Sequence, residues 1–118
     1  MKLSIIVPCY NEQGTIKEIL DKIQNLKLSV TKEIIIVDDN SNDGTEKILE
    51  NYKKNQNIKI LRHLKNQGKG SAVKTAKEYV TGEIIIIQDA DLEYDPNDFS
   101  KLIKPILEKK FKVVYGSR

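Results

Sequence analysis

Residues 84–87 are four isoleucines in a row, and they run straight into Gln88-Asp89-Ala90-Asp91-Leu92-Glu93. A strand that is apolar at every position has no side to give to water. It has to lie inside a parallel sheet with helices on both faces, where neither face of the strand meets solvent. Acid directly after such a strand is a second constraint. In open α/β sheets, ligands bind beyond the carboxyl ends of the strands. An Asp-x-Asp at that place offers two hard oxygen ligands, suited to a divalent cation such as Mg²⁺ or Mn²⁺ held against a substrate phosphate. Alone, so short a motif is better explained by a solvated turn. The remaining strand ends decide between the two.

The same pattern recurs along the chain. Leu3 to Pro8 is a short apolar strand that Pro8 ends, because proline cannot donate to a ladder. Cys9-Tyr10-Asn11-Glu12 follows as a loop. The spacing then predicts a helix from Gly14 to Lys27, with Ile16, Ile19, Leu20, Ile23 and Leu26 on its buried stripe. Lys32 to Asp39 is a second strand, apolar at Ile34–Val37 and ending in Asp38-Asp39. Asn40-Ser41-Asn42-Asp43-Gly44 is a dense turn signal. Asp43 with Glu46 has the spacing of a capping box for a second helix carrying Ile48, Leu49 and Tyr52 inward.

Ile58 to Leu61 is a third strand. The loop Asn66-Gln67-Gly68-Lys69-Gly70 leads into a third helix with Ala72, Val73, Ala76 and Val80, which Gly82 is expected to cap. After the isoleucine strand, Asp95-Pro96 supplies an N-cap and first-turn proline for a fourth helix with Phe99, Leu102, Ile103, Ile106 and Leu107 inward. Pro105 is expected to kink it. Lys112 to Tyr115 is a fifth strand, followed by Gly116-Ser117-Arg118. Alternating strands and helices with right-handed crossovers give an α/β fold of three layers: a mainly parallel sheet with helices on both faces.

Composition removes other classes. A chain of 118 residues, 39% hydrophobic and 31% charged, suits one soluble globular domain spanning residues 1–118. The single cysteine, Cys9, permits no internal disulfide and fits a reducing, cytoplasmic compartment. No apolar run approaches a membrane span, and the chain enters its first strand without a secretory-leader layout. With a net charge of +3 and 6% aromatics, the lysines form no nucleic-acid stripe.

Three strand ends carry polar clusters on one edge: Tyr10 to Glu12, Asp38-Asp39, and Asp89 to Glu93. That coincidence favours a nucleotide or phosphate site. Asp39 can accept the imide N–H of uracil or the N1–H of guanine; otherwise it caps a turn. The turn role is assigned to Asp38, whose side chain points the other way. Tyr10 can flank a base, or be a half-buried aromatic. Glu12 can hold a ribose or base group, or offset the helix dipole. Lys69 can reach a phosphate, though lysines at helix starts are common and the loop lacks the spacing of a Walker loop. His63 has no cysteine or histidine partners for zinc and is expected on the surface at a strand end. Cys9 is expected to be a buried thiol rather than a nucleophile.

Together, Ile5–Glu12, Ile36–Thr45, Asn66–Gly70, Gln88–Glu93 and Gly116–Arg118 resemble, in order and over the whole chain, family-two glycosyltransferases with the Rossmann-like GT-A fold. The branch most similar is the dolichyl- or polyprenyl-phosphate mannose and glucose synthases. The resemblance implies transfer of a sugar from a UDP- or GDP-linked donor to an acceptor, with a divalent metal and inversion at the anomeric carbon. A polyprenyl phosphate at the cytoplasmic face of a membrane is one acceptor it admits. It implies that Pro8, Tyr10, Glu12, Val37 and Asp39 line the nucleoside pocket. Asp89, Ala90 and Asp91 would meet the ribose, diphosphate and metal. Arg118 would approach the diphosphate or the acceptor phosphate, so Asp91 and Arg118 are the candidate catalytic residues.

Glu93 stands where the polyprenyl-phosphate branch usually has Gln in the metal shell. It is a better hard-cation ligand carrying one more negative charge. Family catalytic domains are longer, so the chain is expected to be their nucleotide-sugar-binding half, truncated at its C-terminal end. A non-catalytic binding module, or an inactive fragment lacking the acceptor site, is the alternative. A receiver domain needs its acids after other strands, and a dinucleotide dehydrogenase needs Gly-x-Gly-x-x-Gly after the first strand, which Pro8–Gly14 lacks.

Overall fold

A computed structural model describes residues 2–25, 31–88 and 113–115. Five strands and three helices lie along them: β1 (Lys2–Cys9), α1 (Ile16–Gln24), β2 (Thr31–Asp38), α2 (Thr45–Glu50), β3 (Ile58–Arg62), α3 (Lys69–Lys77), β4 (Ile84–Ile87) and β5 (Val113–Tyr115). The sheet order is β3-β2-β1-β4-β5, and every neighbouring pair is parallel. The isoleucine strand β4 is interior, as its composition demands, but β1 is the central strand.

Alternation of side chains along each strand divides the core in two. On one face Leu3, Ile5 and Val7 of β1, Ile34 and Ile36 of β2, and Ile84 and Ile86 of β4 pack against Ile16, Ile19, Leu20 and Ile23 of α1 and Leu49 of α2. On the other, Ile6, Ile35, Val37 and Ile87 pack against Ala72 and Ala76 of α3. The alanines leave α3 room to lie close to β1 and β2. Three layers result, with α1 and α2 on one side and α3 on the other.

Helix boundaries differ from the periodicity. Turns occupy residues 13–15, and α1 starts at Ile16. The Asp43/Glu46 box does not form. Gly44 is the N-cap of α2, and Asp43 works from one residue earlier, accepting the Thr45 N–H and hydroxyl and the Gln13 N–H. Gly82 is not a helix cap, because α3 ends at Lys77. It lies where the chain enters β4 and donates its N–H to Ser4 Oγ at 2.9 Å. A Cβ there would lie 2.7 Å from the Lys2 carbonyl oxygen and 3.0 Å from the Ser4 nitrogen. Close backbone approach therefore requires this glycine. Leu26 and Lys27, the Asp95-Pro96 cap, the fourth helix with Pro105, and Lys112 lie outside the described residues.

Candidate functional site

Parallel pairing puts the carboxyl ends of β2, β1 and β4 side by side. Cys9 is in register with Asp38, and Ile6 with Ile87. The segments leaving these ends, from Tyr10, Asp39 and Gln88, thus start from one edge. The loops after β1 and β2 are zipped together there. Asn11 N–H donates to Ser41 Oγ, Asn42 N–H to Asn11 Oδ1, Glu12 N–H to Thr45 Oγ1, and Gly44 N–H to Gln13 Oε1. Asn11 and Asn40 take positive φ, 53° and 64°, which asparagine tolerates better than most side chains. Tyr10 emerges from this clasp 43% exposed. Glu12 is half-buried, and its carboxylate accepts the Thr15 hydroxyl at the entrance to α1.

The adjacent aspartates diverge. Asp38 faces the α1/α2 side, where it accepts the Ser41 N–H and hydroxyl and, at 2.8 Å, Arg62 Nη1. This is the turn-capping role expected of it. Asp39 faces α3 and is only 3% exposed. Oδ1 accepts the Gln67 N–H at 2.8 Å and lies 2.7 Å from His63 Nδ1; Oδ2 accepts the Gly68 N–H at 2.8 Å. Burial alone would raise its pKa. The Gln67 N–H, His63 and the Gly68 N–H outweigh burial and hold the carboxyl below the usual range. The carboxylate is therefore oriented by the protein itself, with Oδ2 accepting one N–H among the described residues. Asp39 is first the anchor of the loop that enters α3. Gly68 supports that loop with φ 96°, a backbone that favours glycine.

His63 corrects its expectation as a surface residue. It is buried, 7% exposed, with its ring between Asp39 and the Thr75 hydroxyl of α3 at 2.8 Å from Nε2. Neither partner is near it in sequence, and a search for zinc-like spacing passes over the position. The available signal was register. Asp38 pairs with Arg62 across the parallel strands, so the next residues, Asp39 and His63, meet on the other face.

Other expected residues fall as follows. Pro8 is buried and in register with Val37. Val37 is fully enclosed in the α3-side core. Lys69 is exposed at the first turn of α3, directly after the glycine that Asp39 holds. Cys9 is buried, and burial, with Asp38 next, pushes its thiol far above the ordinary value. Both effects disfavour the thiolate that a nucleophile requires. Among the described residues no group of three or more His, Cys, Asp or Glu side chains could hold a metal ion. Asp89, Ala90, Asp91, Glu93 and Arg118 lie outside the described residues.

The model of glycosyl transferase family 2 matches residues 4–118. The chain belongs to this family. Over 118 residues it is 33% identical to a dolichol-phosphate mannosyltransferase of Pyrococcus furiosus, covering 100% of this chain and 33% of that protein. Among solved structures, S. aureus TarS 1–349 in complex with UDP is 30% identical, with a TM-score of 0.76 over 92% of this chain and 32% of that one. The mannosyltransferase PcManGT from Pyrobaculum calidifontis, in complex with GDP-Man and Mn²⁺, is 32% identical, with a TM-score of 0.72 over 81% of this chain and 29% of that one. The family-2 chain described here thus spans about a third of the length of these relatives. Its fold is the α/β, Rossmann-like GT-A fold. No helix among the described residues is long and apolar enough to cross a membrane.

Proposed function

We propose that the carboxyl edge of the sheet binds a nucleotide-diphosphate sugar together with a divalent cation, and that the protein transfers the sugar with inversion to an acceptor. The observation that carries this reading is the adjacency of the carboxyl ends of β2, β1 and β4. Tyr10 and Glu12 follow one of these ends, Asp39 another, and the sequence Asp89-Ala90-Asp91 the third. The relatives solved with UDP, or with GDP-Man and Mn²⁺, support the class of ligand.

In this reading Asp39 and Tyr10 meet the base and Glu12 the ribose or base. Asp89, Asp91 and Glu93 hold Mg²⁺ or Mn²⁺, and Lys69 and Arg118 approach phosphate. Three carboxylates are the hard oxygen donors that either ion prefers. Bound there, the cation would supply neutralisation of the leaving diphosphate. A polyprenyl phosphate is the acceptor proposed, on the likeness to the dolichol-phosphate mannosyltransferase. Such an acceptor is already anionic at neutral pH and needs no strong general base. The reaction would then take place at the cytoplasmic face of a membrane.

Calorimetric titration of UDP and GDP with Mn²⁺, then with EDTA, tests the site. Three acids would repel a diphosphate without a cation, so binding is expected only with Mn²⁺. Asp91→Ala should lose the cation-dependent binding and still unfold cooperatively. Equal affinity with Mn²⁺ and EDTA would remove the metal from the account.

A further inference from the structure

We infer that His63 is a positioning residue of the nucleotide site, holding the Asp39 carboxylate together with the Gln67 and Gly68 N–H groups so that an acceptor position on Oδ2 faces the base. The inference rests on the nucleotide-binding reading above and adds a residue to it. An ionised carboxylate offers about four acceptor positions. Among the described residues, Oδ1 serves two partners, the Gln67 N–H and His63 Nδ1, whereas Oδ2 serves only the Gly68 N–H. The remaining acceptor position is on Oδ2. A ligand N–H would be read there by a carboxylate that the protein has already oriented.

The carboxylate accepts, so Nδ1 of His63 carries a proton. In the neutral ring, Nε2 is then the acceptor, and the Thr75 hydroxyl donates to it. Asp39 sets the tautomer, and the Thr75 hydroxyl, able to donate or accept, accommodates it and holds the far side of the ring. The imidazole also spans three elements: it follows β3, contacts the residue after β2, and is held by α3. Its backbone N–H is fixed as well, donating to the Asp38 carbonyl at 2.9 Å. The terminal torsion of an aspartate is broad. Without the ring, Asp39 keeps two backbone partners but loses the contact that fixes Oδ1 from the side of β3.

Isosteric variants separate positioning from bulk. The amide nitrogen of asparagine stands the same number of bonds from Cα as Nδ1 of histidine, whereas that of glutamine matches Nε2. His63→Asn can therefore keep the donor to Asp39, and His63→Gln keeps only the reach toward Thr75.

The experiment titrates UDP, GDP and inorganic diphosphate, each with Mn²⁺, into the wild-type chain and into His63→Ala, His63→Asn, His63→Gln and Thr75→Val. Urea unfolding of each checks folding. His63→Ala and His63→Gln are expected to weaken nucleotide binding by about ten- to a hundredfold and leave diphosphate binding unchanged. His63→Asn should recover most of the affinity, and Thr75→Val should fall between. If His63→Ala does not fold, the contrast between Asn and Gln decides. Nucleotide affinity that is equal in the Asn and Gln variants, or diphosphate binding that falls in parallel, would overturn the role of His63 while leaving the site in place. Failure of the wild-type chain to bind either nucleotide would overturn the site itself, and this inference with it.

Discussion

Asp38 and Asp39 are neighbours in sequence and opposites in structure. Strand alternation sends one carboxylate toward α1 and α2 and the other toward α3. Asp38 closes its own turn through Ser41 and ties β2 to β3 through Arg62, whose guanidinium also reaches Glu46 and the Ser41 carbonyl. Asp39 reaches further along the chain, to His63, Gln67 and Gly68. Both are buried, and both are satisfied by hydrogen bonds. They differ in what would be left behind. Arg62 has other acceptors and partial access to water; the Asp39 partners Gln67 N–H, Gly68 N–H and His63 Nδ1 have no second acceptor among the described residues. A pair of identical residues thus forms two devices, one closing a turn and one ordering the loop beside the proposed base pocket.

Breaking the second device should cost most. Asp39→Ala strips acceptors from two backbone N–H groups and a buried imidazole, so a loss of at least about 3 kcal/mol in urea unfolding is expected. Nucleotide binding should go with it. Asp38→Ala should cost less, about 2–3 kcal/mol, because the Ser41 N–H loses its acceptor but Arg62 does not. Nucleotide affinity of that variant should stay close to wild type. Equal stability losses, or equal binding losses, would erase the distinction between the two faces.

Gly82→Ala serves as a control at the opposite edge of the sheet. Its Cβ would press on the backbone of Lys2 and Ser4, an overpacking worth about 1–2 kcal/mol. Nucleotide affinity should not change, because the strain lies where β4 begins. A fall in affinity matching that of Asp39→Ala would mean that global stability, rather than local order, controls binding.

Acid gives the smallest and most specific effect. The Asp39 carboxyl is held below the usual carboxylate range in the folded chain, so its contribution is fully present above the unfolded value of about 4. That contribution is lost as pH falls through the lower folded value, since the unfolded chain then binds the proton first. Glu33 and Asp43 are lowered as well; burial raises each, and hydrogen bonds from Ser4 and Thr81, or from Thr45 and Gln13, more than offset it. Unfolding at a series of pH values should show stability nearly level down to about pH 5 and falling below about pH 4, less steeply in Asp39→Ala. Stability that rises on acidification would contradict this.

Much of the scaffold was legible in residue type. Uninterrupted isoleucine marks buried parallel strands, and Ile16, Ile19, Leu20 and Ile23 declare the inner face of α1 at helical spacing. Runs apolar at every position do not say which side faces which helix, so the assignment of Asp38 and Asp39 to faces needed β2's neighbours. Ser41, three residues after Asp38, signalled a turn, and that role was readable. The Asp39–His63–Thr75 line was not, because its contacts join residues 24 and 12 positions apart on separate elements. The role of Gly82 is hidden from local sequence for a related reason. Its constraint comes from β1, at the other end of the chain from the helix it was expected to cap.

The central claim is that the α3 side of the sheet's carboxyl edge meets the base of a nucleotide. Amide chemical-shift mapping tests it most directly. On adding UDP or GDP with Mg²⁺ to ¹⁵N-labelled protein, the largest shifts are expected at Gln67 and Gly68, whose N–H groups share the Asp39 carboxylate, and at Tyr10 and Glu12. Inorganic diphosphate with Mg²⁺ should leave Gln67 and Gly68 in place. Nucleotide-induced shifts centred on Ser4, Thr81 and Gly82, or at Gln67 and Gly68 with diphosphate alone, would contradict the account.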